Sequence, residues 1–178
     1  MSNTKSMAAT PVNQSGAVVA AQNPQPLPAL TAEFAPAPIP ALQSGFYRWQ
    51  HYTRSANQAL LHQQYQLAEQ HYQAALQQAE QLRQLDPLAE PHVAALVISL
   101  HNLADLALLN GIPAQARALL CGAYQQIWQL CQQQPLPRLW SHLHVCRREL
   151  AFFCQSFGSD AQCRQLLQLP WPASAALN

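Results

Sequence analysis

The sequence predicts an all-α protein made of helical hairpins, and three observations predict it. From residue 44 onward apolar residues recur at steps of three and four. No stretch alternates apolar and polar residues, as a half-buried strand must. Every proline beyond residue 42 falls between the periodic segments or in a first helical turn, where it costs nothing.

Taken in order, residues 1–42 hold half of the 14 prolines, Pro11, Pro24, Pro26, Pro28, Pro36, Pro38 and Pro40, among Ala, Gln, Ser and Asn. Such a composition buries too little apolar surface to offset its ordering entropy, so a disordered tail of polyproline II character is expected. It serves either as a solubilising spacer or as a ligand for a proline-recognising module. A helical domain is expected over 43–172 and a flexible end over 173–178.

Within that domain a first amphipathic helix to about residue 62 carries Phe46, Trp49, Tyr52, Ala56, Ala59 and Leu60 on one side. A second, over about 65–84, carries Leu67, Ala68, Tyr72, Ala75, Leu76, Ala79 and Leu82, and Asp86-Pro87 ends it. A third opens at Pro91 and runs as VAALVISLHNLADLALL to Asn110-Gly111; a fourth restarts at Pro113. Both are too apolar to stand alone and must be sandwiched by their neighbours. Pro135 and Pro137 break the chain again before a fifth helix over about 138–157, which Gly158 closes. Ser159 and Gln162 have the spacing of a capping box for a short sixth helix, ended by Pro170.

Composition excludes several function classes. A net charge of +1, with eight scattered arginines and the single lysine Lys5, lacks the basic footprint of a nucleic-acid binder. The five cysteines, Cys121, Cys131, Cys146, Cys154 and Cys163, are odd in number and lie in helical segments, so buried thiols in a reducing compartment are expected. Residues 17–21 are too short a run for a signal peptide. His101, Asn102 and Asp105 interrupt the apolar run that begins at 93–100, so no membrane span is expected and the cytoplasm is the default.

The chain also repeats itself. A small residue midway along each first helix is followed twelve residues later by another that opens the second: Ala56 and Ala68, Ala104 and Ala116, Ala151 and Cys163. Antiparallel helices approach closely only where side chains are small, so these couples mark the crossings. Gln63, Gly111 and Gly158 stand at the turns. The segments HYTRSANQALLHQQYQLAEQHYQAAL and LHNLADLALLNGIPAQARALLCGAY resemble the tetratricopeptide repeat, and the likeness extends over 46–169. It is weakest in the third hairpin, where Arg147 replaces the usual aromatic residue and Pro170 shortens the last helix. The interval is also longer, 48 residues from Ala68 to Ala116 and 47 from Ala116 to Cys163, against ~34 for the standard repeat. HYQAALQQAEQL together with ALVISLHNLADL looks similar to small uncharacterised bacterial proteins of this class.

The resemblance implies an α-solenoid of three hairpins whose first helices line a groove for a peptide or a partner helix. Carried over by register, the groove-facing positions are Gln50, Arg54, Asn57 and Leu61; Ile98, His101, Asn102 and Asp105; and Val145, Arg148, Glu149 and Phe152. Arg54, Asn57, Asn102 and Arg148 are similar to part of the clamp with which chaperone-binding members hold a carboxylate, and arginine can supply two hydrogen bonds to one. His101, Asn102 and Asp105 either face the groove or satisfy neighbouring helices inside the bundle.

His142, His144 and Cys146 suggest a metal, but His144 points away from the other two on a helix, and no CxxC or HExxH motif accompanies them. No nucleophile motif or glycine-rich phosphate loop is present either. The expectation is therefore a non-enzymatic protein-interaction module, an adaptor or co-chaperone-like scaffold, without cofactor. Its groove residues are Arg54, Asn57, His101, Asn102, Asp105, Arg148 and Phe152. A self-assembling structural protein, dimerising through the end of the solenoid, is the alternative, and a His/Cys metal carrier the third.

Overall fold

A computed structural model describes residues 41–171. The expectations for 1–40 and for 173–178 lie outside these residues. Six helices follow one another, α1 (Ala41–Leu61), α2 (Tyr65–Leu85), α3 (Glu90–Leu109), α4 (Pro113–Gln133), α5 (Pro137–Phe157) and α6 (Ala161–Leu167). Each packs on the next, and no strand occurs among the described residues. The all-α class and the three hairpins are as expected, with boundaries within three residues. α1 starts at Ala41, inside the segment assigned to the tail.

The first two turns are the same structure made twice. Gln63 and Gly111 both take a left-handed backbone, at φ 59° and 71°. In each case that residue's N–H donates to the carbonyl three back, Leu60 or Leu108, and the next N–H reaches five back, to Ala59 or Ala107, at 2.8 Å. This paired pattern is the Schellman stop, which satisfies carbonyls a helix end would leave open. The positions differ by 48 residues, the repeat interval of the sequence. The third turn is simpler: Gly158, at φ 89°, donates a single bond to the Cys154 carbonyl.

Gln63 holds its left-handed conformation with a side chain that disfavours it. Gln63→Gly should therefore stabilise the fold by roughly 0.5–1 kcal/mol, read as a higher urea midpoint at unchanged slope. An unchanged or lower midpoint would contradict it.

The crossings are tight where alanine was expected. Ala56, Ala68, Ala104 and Ala116 are all 0% exposed. Ala56 and Ala68 belong to a smaller cluster with Tyr72, Leu103 and Leu106; Ala104 and Ala116 belong to the main core with Leu96, Ile127, Leu143 and Leu150. α3 supplies both cores from adjoining faces, which is why its apolar stripe is so wide. By length and composition it could cross a membrane, yet most of it is buried among its neighbours.

Two expectations about the third hairpin are corrected. Ala151 is only half-buried; Cys163 instead meets Cys154, one turn further along α5, and its Sγ lies 3.7 Å from that of Cys121 in α4. The cap of α6 is Asp160, not Ser159: its Oδ1 accepts from the Cys163 N–H at 2.8 Å, and its other oxygen lies 3.1 Å from Arg117 of α4. The same carboxylate thus caps α6 and pairs with a neighbouring helix. Those bonds hold the Asp160 carboxyl below its usual range, so their contribution is present above the ordinary carboxylate pKa and fades as pH falls through the lowered one. Asp160→Ala should fray α6, with faster hydrogen exchange at the Cys163 amide and none at Leu143. Leu67, assigned to the inner side of α2, is exposed.

Candidate functional site

The first helices of the hairpins lie side by side, α1 against α3 and α3 against α5. Between α3 and α5 opens a cleft of about 380 Å³, lined by His101, Asp105, Leu108, Val145, Arg148, Glu149, Phe152 and Phe157 among others. Spacing explains this assembly. Residues 98, 101, 102 and 105 share one face of α3, and 145, 148, 149 and 152 share one face of α5. The opposite faces, with Val97, Leu100 and Ala104 from α3 and Leu143, Cys146 and Leu150 from α5, are buried in the main core.

Four of the seven expected groove residues line this cleft and three do not. His101, Asp105, Arg148 and Phe152 line it directly. Asn57 does not: its Oδ1 accepts from the Tyr72 hydroxyl at 2.6 Å, tying α1 to α2. Arg54 is exposed on α1 and reaches Gln50 at 3.3 Å. Asn102, half-buried on α3, is not among the lining residues.

The four groups needed for an anion clamp are therefore not gathered in one place. Arg148 directs Nε and Nη2 to Oε1 of adjacent Glu149, at 3.0 and 2.8 Å. An incoming carboxylate would have to displace that contact.

Charge in the cleft is set by two carboxylates. Asp105 is exposed at the mouth, yet the surrounding walls desolvate its carboxyl and, with nearby Glu149, push its pKa up. Asp105 in turn acts with burial to raise the Tyr72 hydroxyl. His101 is half-buried, its Nε2 has no hydrogen-bond partner among the described residues, and burial pushes its pKa down; Glu149 opposes that shift and Arg148 reinforces it.

The folded chain thus prefers a neutral His101, whereas the unfolded chain takes up its proton near the ordinary value of 6.5. Stability should fall as pH drops through that value, because the unfolded state then binds more protons. Asp105 works in the opposite direction, the folded state holding its proton more firmly. His101→Gln should remove the first effect, so urea unfolding should show a smaller loss of stability between pH 7.5 and 5.5 in the variant than in wild type.

Phe157 and the buried Phe153 were not anticipated as lining residues. Their rings stack at 5.2 Å, one helical turn apart, so the i, i+4 spacing was the available signal. Phe152 and Phe157 remain 65% and 55% exposed, and Ile98 41%. These are large apolar groups left uncovered along a surface already grooved.

Other candidate chemistry does not converge. His142 Nε2 lies 3.3 Å from Glu90, whereas His144 faces elsewhere, 4.3 Å from the Trp171 ring. Among the described residues no group of three or more His, Cys, Asp and Glu is placed to hold a metal. Burial pushes the thiols of Cys121 and Cys146 up to about 12 and those of Cys131 and Cys154 up to about 11, leaving few thiolates at neutral pH. A second cleft of about 410 Å³ lies between the starts of α1 and α3, lined by Gln43, Phe46, Tyr47, Gln50, Pro91 and His92. Its histidine is engaged, with Nδ1 3.0 Å from the Asp86 carbonyl oxygen.

Residues 47–173 match a family model described as a protein of unknown function, DUF2753. No curated protein and no solved structure matches the chain.

Proposed function

The chain belongs to the DUF2753 family, and we propose that it is a protein-interaction module, tetratricopeptide-like in construction, that takes up a peptide or helix of a partner along α3 and α5. One observation carries this reading: exposed Phe152 and Phe157 line a cleft that also holds ionisable side chains, and exposed Ile98 lies further along the same face of α3. Exposed aromatics beside a concavity are the usual anchors of protein recognition. The likeness to tetratricopeptide repeats supports it through the alanine crossings, the recurring turn and the contacts between successive first helices. The interval of 48 residues lengthens the hairpins and the face they present.

Phe152→Ala tests the reading. Loss of one exposed aromatic anchor costs binding roughly 1–2 kcal/mol or more, so partners captured by wild type should be depleted about tenfold or more, with the circular dichroism spectrum unchanged. Equal recovery of the same partners by both proteins would remove this face from consideration.

A further inference from the structure

The cleft between α3 and α5 also restricts what can occupy it. We propose that it selects a basic segment of a protein partner, one lysine or arginine set against Asp105 and Glu149 with an apolar neighbour against Phe152 and Phe157. This rests on the groove reading above and adds the chemistry of the occupant.

The charge inventory comes first. Four ionisable groups line the cleft: Asp105 and Glu149, Arg148 and His101. Arg148 is already committed to Glu149. Among the described residues Asp105 has no hydrogen bond or ion pair, and the nearby Glu149 carboxylate opposes a negative charge there. His101 favours its neutral form in this setting and supplies no cation. The cleft therefore presents one carboxylate more than its cations balance. An anionic guest meets repulsion, whereas an ammonium or guanidinium group relieves it.

Shape decides between a free amine and a peptide. About 380 Å³ lies near the lower end of cavities that enclose small ligands, roughly 300–1,000 Å³. Beyond the cleft, exposed Ile98 stands on the same face of α3, two turns before Asp105 and about 10 Å along the helix. One amine cannot cover both. A segment of several residues can, placing its cation in the cleft and its apolar side chains on the rim, while the methylene stem of a lysine lies along Val145 and Leu108.

The test is selection of a phage-displayed random dodecapeptide library on the full chain, in parallel with Asp105→Asn/Glu149→Gln and Phe152→Ala. These side chains are exposed or half-buried, so the variants should fold. Expected are sequences enriched severalfold in lysine or arginine beside leucine or an aromatic residue. Binding of a synthetic copy should weaken roughly tenfold when its cation becomes norleucine, and roughly tenfold on the Asp105→Asn/Glu149→Gln chain. Added salt should reduce that difference.

Enriched peptides that are apolar or acidic, lost on Phe152→Ala but not on the charge variant, would overturn the cationic choice and leave the groove. Peptides bound equally by all three chains, or no enrichment above a blank surface, would overturn both.

Discussion

Ala104→Leu is expected to lower the stability of the folded chain by roughly 2–3 kcal/mol, a large effect for a change that adds only carbon to an apolar site. Ala104 is 0% exposed in the main core, and Ala116, its counterpart across the hairpin, is 0% exposed as well. A leucine there must push α3 from α4 or force its neighbours out of their rotamers, since helices at such a crossing have no room between them. Helix propensity does not contribute, because leucine and alanine are both good helix formers. Ala118→Leu, at an exposed position of α4, is the control and should stay within about 0.5 kcal/mol of wild type. Equal urea midpoints for the two variants would mean that the hairpin is not closed at this position.

The same distinction between local and distant causes explains how much of the molecule could be read from its sequence. Helices and their ends were legible because periodicity, Gly111, Gly158 and the prolines report nearby backbone demands. Gln63 was legible as a turn only through its equivalence to Gly111, and its left-handed φ confirms the equivalence. The cap of α6 was not legible. Ser159 with Gln162 and Asp160 with Cys163 are both locally plausible, and the contact of Asp160 with Arg117, 43 residues before it, is one that local spacing does not report. Within the cleft, the faces carrying His101, Asp105, Arg148 and Phe152 followed from helical register, but the engagement of Arg148 by its own neighbour Glu149 depended on side-chain choice. Gly45 was overlooked altogether: a Cβ there would stand 2.9 Å from Leu82 of α2, an approach visible only once the two helices are packed.

Trp49→Ala should produce the larger loss, roughly 3–5 kcal/mol. Trp49 is the buried aromatic that joins α1 to α3: it lies in the main core, and its Nε1–H donates to Ser99 Oγ at 2.9 Å, while Ser99 donates to the Ala95 carbonyl at 2.8 Å. Truncation removes the ring, opens a cavity and leaves Ser99 without its donor. Trp49→Phe separates these losses, retaining most of the ring and forfeiting the hydrogen bond, at about 1–2 kcal/mol. Ser99→Ala on its own leaves the indole N–H buried without an acceptor and should cost about 1–3 kcal/mol. If the coupling is direct, the double variant Trp49→Phe/Ser99→Ala should cost less than the sum of its parts. Because few other contacts hold α1 on α3, hydrogen exchange in Trp49→Ala should quicken first in α1. A chain that loosens α1 and α5 together would show that Trp49 supports the whole stack rather than one joint of it.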